Sequence, residues 1–367
     1  MGNRIRFGII GSGWRAMYYV RIAQKLSEVF EVATVVCRTP EKAERITKEF
    51  GVRTVLSPQE CIDRKPDFVV VAVDKMHIAE VAMEWADYGF AVLSETPAGM
   101  DRETLRKLME AGKRGAKLVS AEQYRYYPEH AALLKLLETG IIGTRHSLYL
   151  SEAHEYHGIS LIRGYLGLSP EESFTVQARE WSFPTVETMS RYEKYTDGRI
   201  ADKKRMAALF AYANGTFCLY DFDTEQYRSP IRGSYLRLSG ERGEIDGYTV
   251  RWLDEANAAH CEALDIKTRI VATGDPNPNF AEIEEVVSVT LGDTVLYEPE
   301  FGIHGLSKDE AAIAHMLGKM KAYAEGTGEA PYSLADALAD AYGAILLREA
   351  SAEGTVEEAD MPGFLGM

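Results

Sequence analysis

Ile5 to Ile10 form a short apolar run that stops at Gly11-Ser12-Gly13-Trp14-Arg15-Ala16, after which Met17, Val20, Ala23 and Leu26 recur at helical spacing. A strand, a tight turn and a helix in that order leave few architectures open. Gly11 permits the sharp reversal, Gly13 lets backbone approach a ligand closely, and Ala16 is small enough for helix and strand to pack together. The helix start also aims unpaired N–H groups over the turn, which favours an anion. Six such residues are weak evidence alone, so the surrounding pattern decides.

That pattern repeats. Val32 to Cys37 is a second β-branched run, followed by Thr39 as a cap, Pro40 in the first helical turn, and Ala43, Ile46 and Phe50 on one face before Gly51. Phe68 to Val73 reads as a buried strand, Ile78 to Tyr88 as a helix stopped by Gly89, and Phe90 to Ser94 as another strand. Asp101 caps a helix carrying Leu105, Leu108 and Met109, and Lys117 to Ala121 closes the series. Alternation of this kind predicts an α/β domain over residues 1–124, a doubly wound parallel Rossmann sheet.

Residues 125–367 have another texture. A helix at Glu129 to Thr139 gives way to strands: Met206 to Tyr212 and Phe217 to Phe222 flank the hairpin dipeptide Asn214-Gly215, and Ser234 to Ser239 pairs with Glu244 to Leu253 through Gly240 to Gly243. Ser307 with Glu310, and Ser333 with Asp336, open two capped helices, and the tail from Ala352 to Met367 reads as loosely ordered. The expectation is an α+β domain, an open and mainly antiparallel sheet with flanking helices.

Composition removes other classes. With 41 Lys and Arg against 56 Asp and Glu, the chain carries a net charge of −15, and no basic run offsets it, so nucleic acid and membrane surfaces are poor partners. Cys37, Cys61, Cys218 and Cys261 are scattered without a CxxC pair, which suggests neither a disulfide framework nor a metal module and fits the cytoplasm. The apolar run before Gly11 is too short for a signal segment.

Within a βαβ series the first turn predicts a bound dinucleotide, with its pyrophosphate over Gly11, Ser12, Gly13, Trp14, Arg15 and Ala16. An NAD-selective site usually ends its second strand with an acid that accepts from the ribose; here Cys37-Arg38 stands there. A guanidinium suits a 2′-phosphate, so NADP is favoured, with NAD the alternative. In so acidic a chain Arg15 and Arg38 supply the local positive charge an anionic cofactor needs.

At this point the chain resembles the Gfo/Idh/MocA oxidoreductases, the family of glucose–fructose oxidoreductase and inositol 2-dehydrogenase. The likeness rests on the Gly-x-Gly-x-x-Ala start, Pro40-Glu-Lys-Ala43, Ser94-Glu-Thr-Pro97 where the family reads Glu-Lys-Pro, Tyr124-Arg-Tyr-Tyr-Pro128, Asn214-Gly215 and Ser239-Gly-Glu-Arg-Gly243. It implies a nicotinamide at the domain junction and a homodimer or homotetramer formed through the second sheet. The family lysine becomes Thr96, which can orient or relay a proton but carries no charge. Of the family's Asp-x-Gly-x-His-x-x-Asp, only His157 is kept, with Ala153 and Ser160 at the two acids, and Val73-Asp74-Lys75 replaces the usual Thr-Pro-Asn. Val73, Glu95 and Gln123 join the expected cofactor contacts.

His157 is the leading candidate for proton transfer, because imidazole titrates near neutrality. Around it lie His154 and Tyr156; His154 and His157 share a face only in a helix, whereas Glu152, His154 and Tyr156 align only in a strand. No third metal ligand is fixed by spacing, so no metal site is expected. The expected function is hydride transfer between NAD(P) and a sugar- or cyclitol-like alcohol or ketone, with Thr96, Tyr156 and His154 assisting His157. The alternatives are a redox-cycling lyase, epimerase or glycosidase that retains its cofactor, and a catalytically silent dinucleotide or sugar sensor.

Overall fold

The computed structural model describes residues 4–366 other than 276, 278 and 279. Two compact units emerge: one runs through Tyr126 and includes Glu300–Ala341, and the other takes Tyr127–Pro299 and the chain from Tyr342 onward.

In the first unit the alternation folds as β1 (Ile5–Ile10), α1 (Ala16–Lys25), β2 (Phe30–Val36), α2 (Pro40–Phe50), β3 (Thr54–Val55), α3 (Pro58–Ile62), β4 (Phe68–Val71), α4 (Ile78–Asp87), β5 (Val92–Ser94), α5 (Arg102–Lys113) and β6 (Leu118–Ser120). The strands pair in parallel in the order β3-β2-β1-β4-β5-β6. The order reverses between β1 and β4, and the crevice outside the strand ends at such a switch point is where these sheets take ligands. Both central strands are buried, Phe68, Val69, Val70 and Val71 completely, as expected for a sheet covered on two faces. Thr39 and Asp101 cap α2 and α5 as their sequence positions predict, accepting from the N–H groups of Lys42 and Thr104.

The second unit runs α6 (Pro128–Glu138), β7 (Arg145–Ser151), α7 (Glu155–Leu166), β8 (Phe174–Val186), β9 (Ile200–Tyr212), β10 (Phe217–Asp223), β11 (Tyr235–Gly240), β12 (Gly243–Asp246), β13 (Thr249–Leu253), β14 (Ala259–Ala263), β15 (Asp265–Ala272), β16 (Glu282–Leu291) and β17 (Thr294–Tyr297). The chain then forms α8 (Lys308–Glu325), α9 (Leu334–Glu353), β18 (Val356–Ala359) and α10 (Met361–Leu365). A nine-stranded sheet has the order β14-β13-β12-β11-β7-β10-β9-β8-β18, antiparallel except where β10 meets β7, and β15-β16-β17 form a separate sheet.

The expected single strand from Glu244 to Leu253 is broken at Gly247, whose φ of +58° turns the chain between β12 and β13. Up to Gly366 the tail is ordered: β18 pairs with β8 and Asp360 caps α10, so partnership across the sheet overrides the polar local composition; Met367 lies outside the described residues.

Glu300–Ala341, which the sequence pattern places in the second domain, folds with the first unit. The contacts are long-range: α8 buries Ile313, Met316, Leu317 and Met320 completely, Phe301 packs edge-on against Phe30, and a buried ion pair joins them. Glu310 is fully buried at the start of α8, closes the Ser307 capping box, and receives Lys25 Nζ from α1 at 2.8 Å. Lys25 also donates to the Gly305 carbonyl at 2.8 Å. No described helix is long and apolar enough to cross a membrane.

Candidate functional site

In the first unit, the turn between β1 and α1 has the shape its glycines predict. Gly11 adopts φ +128°, and a Cβ there would sit 2.2 Å from the Ala72 carbonyl oxygen and 3.5 Å from Val73 Cγ1, so only glycine fits and Val73 borders the turn. Gly13 is the opposite case: a Cβ would meet nothing within 4 Å. Ser12 and Trp14 are half-buried, Trp14 packs edge-on against Tyr18 at 4.7 Å, and Ala16 is fully buried where α1 meets the sheet. No side chain caps α1 and no acid stands in its first turn; the Met17 and Tyr18 N–H groups donate to the Trp14 and Arg15 carbonyls, so a ligand would be met by N–H groups of the turn ahead of them.

Arg15 faces carboxylates. Its Nε donates to Glu95 Oε1 at 2.8 Å and its Nη1 to Asp309 Oδ2 at 2.6 Å, while Tyr19 OH donates to the same Glu95 oxygen at 2.6 Å. Burial, reinforced by Glu95, pushes the Tyr19 hydroxyl well above its ordinary range, so it serves as a fixed donor. Gln123 Nε2 donates to Asp309 Oδ1 at 2.9 Å, whereas its Oε1 is buried and has no hydrogen-bond partner among the described residues. A buried acceptor in this position fits a ligand N–H such as a carboxamide. Asp309 is invisible to local pattern reading, because it reaches the turn only through the packing of α8.

Arg38 is exposed just past β2. Lys42 and Arg45 on α2 act electrostatically on the neighbouring Cys37 thiol, which burial nonetheless raises above its ordinary value. Three cations thus gather at the end of the second strand, of which sequence reading singles out one. The residues present fit a dinucleotide: room over Gly13, a turn into α1 that no side chain caps, an unfilled acceptor at Gln123 and positive charge beside β2.

Thr96 precedes a cis proline, Pro97, and is half-buried. The missed residue is Glu122. It is 2% exposed, its Oε1 accepts from the Tyr124 N–H at 3.3 Å, and burial raises its carboxyl to about 8, with Glu95 pushing the same way against Arg125 and Arg15.

In the second unit, the segment from Glu152 to His157 is neither a simple helix nor a strand: His154 is the cap of α7, and the helix begins at Glu155. Ala153 and Glu155 take φ of +58° and +40°, strained values for side-chain-bearing residues. Glu155 occupies the glycine position of the family pattern, and Tyr220 holds the turn by donating to the Ala153 carbonyl at 2.7 Å and accepting from the Glu155 N–H at 3.1 Å. His154 and His157 lie 5.0 Å apart between ring centroids, and Tyr156 lies 4.5 Å from His157.

The His154 ring is held from both sides. Tyr227 OH accepts from the His154 backbone N–H at 3.0 Å and lies 2.6 Å from Nδ1; Nε2 is 3.1 Å from Tyr156 OH. His157 is 6% exposed. His154 and Tyr227 open onto a cavity of about 440 Å³ that Lys204, Arg191 and Arg228 also line. Glu152 turns away to His130, whose other nitrogen meets Tyr165 OH at 2.6 Å. Among the described residues no three His, Cys, Asp or Glu side chains are placed to hold a metal ion.

Residues 5–123 match the family described as an oxidoreductase family with an NAD-binding Rossmann fold, GFO_IDH_MocA. The chain is 30% identical over 152 residues to a dTDP-3,4-didehydro-2,6-dideoxy-alpha-D-glucose 3-reductase of Actinomadura kijaniata, a match covering 38% of this chain and 43% of that protein. It is 26% identical over 143 residues to trans-1,2-dihydrobenzene-1,2-diol dehydrogenase of Mus musculus, covering 38% and 43%. The chain thus spans less than half the length of the curated relatives it matches. Solved structures extend the likeness of fold over nearly the whole chain. An Agrobacterium radiobacter oxidoreductase in complex with NAD+, L-tartaric acid and magnesium is 15% identical at a TM-score of 0.66, covering 98% and 99%. Levoglucosan dehydrogenase in complex with NADH and levoglucosan is 18% identical at 0.66, covering 97% and 99%.

Proposed function

We propose that this protein is an NADP-dependent oxidoreductase of a carbohydrate-like alcohol or ketone. The observation that carries the reading is the turn at Gly11 to Ala16, which only glycine can make at Gly11 and which lies open above Gly13. When bound, the dinucleotide supplies or accepts a hydride. The chain holds it through the N–H groups of the turn into α1, Ser12, Trp14, Val73, the Arg15–Glu95 pair and Gln123. Arg38, with Lys42 and Arg45 beside it, supports NADP over NAD. Proton transfer is assigned to His157, with His154 and Tyr156 orienting its surroundings and Thr96 in place of the family lysine. The relatives named for sugar and diol substrates support the substrate class.

The protein works in the cytoplasm, consistent with four free cysteines, three of them buried. It assembles as a homodimer or homotetramer through the open sheet face, where Trp181, Leu209 and Leu219 are 48%, 40% and 46% exposed. Titration with NADPH, followed by nicotinamide fluorescence, tests cofactor binding: saturable change supports it, and a flat response at high protein concentration removes it.

A further inference from the structure

The cavity of about 440 Å³ beside His154 is framed by one face of the nine-stranded sheet. Strand register fixes which face. Glu180 of β8, Met206 of β9 and Phe222 of β10 stand in one cross-strand row, and Lys204 and Tyr220 lie two residues along their strands from it, so all five side chains leave the same side. Trp181, Leu209 and Leu219 alternate to the other, open side. The side of the cavity is the one α7 packs on: Tyr220 OH grips the turn into that helix, and a Cβ on Gly158 would lie 2.6 Å from Tyr220 Cε2.

The short helical turn Thr224–Tyr227, capped by Asp223, brings up the remaining wall with Tyr227 and Arg228. Tyr227 packs against Phe222 at 5.2 Å between centroids and edge-on against His154 at 5.7 Å. The two acids of the lining already have cations: Glu180 takes Lys204 Nζ at 2.7 Å, and Glu155 takes Arg348, which stands outside the lining. Arg228 is half-buried, and among the described residues no carboxylate lies within ion-pair distance of its guanidinium. Arg191 adds a second guanidinium to the wall. In a chain of net charge −15, this is a cavity whose balance is positive.

We propose that this cavity seats the substrate and that the substrate is an acidic sugar or cyclitol, a hydroxylated ring whose carboxylate or phosphate is taken by Arg228. The proposal rests on the oxidoreductase reading and deepens it by naming the substrate class. A cavity of this volume suits a small molecule, and the rings of Phe222 and Tyr227 give a sugar ring an apolar surface with a hydroxyl at its edge. His154 lies 5.0 Å from His157 between ring centroids, so a ring seated here stands next to the residue assigned to proton transfer. The anionic group takes no part in the chemistry. Hydride from the dinucleotide goes to the carbonyl carbon and the proton to its oxygen, while Arg228 acts on binding alone. A neutral sugar leaves that guanidinium without its partner, which is the basis of discrimination.

Two measurements on the full chain test this. Calorimetric titration, alone and with NADP+, compares glucuronate, galacturonate and the matching terminal hexose phosphates with glucose and galactose. The acidic forms are expected to bind at least about tenfold tighter than their neutral parents. Arg228→Gln brings that ratio toward one, Arg228→Lys restores part of it, and added salt weakens it. Preference for carboxylate or for phosphate each supports the proposal and names the anion. Equal affinity for acidic and neutral sugars, or a preference that survives in Arg228→Gln, overturns it and leaves the oxidoreductase reading intact. In turnover followed by NADPH consumption, the acidic and neutral forms should differ in KM rather than kcat, because the anion is held alike before and during hydride transfer; a difference confined to kcat overturns the proposal. Acidic sugars that bind with this preference yet consume no NADPH overturn the oxidoreductase reading, and with it their role as substrates.

Discussion

Arg15 Nε donates to Glu95 Oε1 at 2.8 Å, tying the residue ahead of α1 to the end of β5 across the crevice of the parallel sheet. The pair is further gripped by Asp309 and Tyr19, so the turn is ordered by its own chain rather than by a ligand. The guanidinium is thereby kept beside the place where an anion would sit, at the cost of bringing two carboxylates with it. Arg15→Met should leave those carboxylates facing a bound anion. A charge-assisted hydrogen bond is worth roughly 1.5–3 kcal/mol, so NADPH affinity should fall about tenfold to a hundredfold in a fluorescence titration.

Gly13 separates folding from binding. Because a Cβ there meets nothing within 4 Å, Gly13→Val should fold with a melting temperature close to that of the wild type. Its side chain stands where the pyrophosphate approaches, and NADPH binding should drop by at least about tenfold. Gly11→Ala behaves differently. Its Cβ would lie 2.2 Å from the Ala72 carbonyl oxygen at a φ of +128°, so soluble protein should be lost along with binding.

On the proposed reading, the cations beside β2 set cofactor choice. Arg38→Ala should weaken NADPH about tenfold and leave NADH nearly unchanged, because only the former carries the 2′-phosphate that a guanidinium recognises. Equal losses for both cofactors in calorimetric titration would mean that Arg38 is a solvated loop residue.

Lys25 and Glu310 lock α8 onto α1. Lys25→Met leaves a fully buried carboxylate short of its closest cation, with Arg21 Nε 3.7 Å away. Breaking such a pair from one side costs about 3 kcal/mol, a loss that urea unfolding should show as a lower midpoint at an unchanged slope.

The Rossmann sheet was legible in the sequence because its signals are local: a glycine turn, β-branched runs, and caps at Thr39 and Asp101 within a few residues of what they cap. Glu122 and Asp309 were not. Glu122 looks like any residue after a short strand until the sheet buries it, and Asp309 meets Arg15 across 294 residues of chain. The turn at His154 fell between the two alternatives that periodicity offers, because Ala153 and Glu155 adopt positive φ without being glycine. The tail gained β18 through pairing with β8, a partner about 180 residues earlier that no window over the tail contains.

The most direct test of the account is the stoichiometry of NADPH consumption when purified protein is supplied with carbonyl sugars and keto-cyclitols and the alcohol product is counted by mass. The account predicts equimolar loss of NADPH and gain of alcohol. Substrate that disappears with no net change in NADPH, or NADPH that stays untouched across the panel, would contradict it.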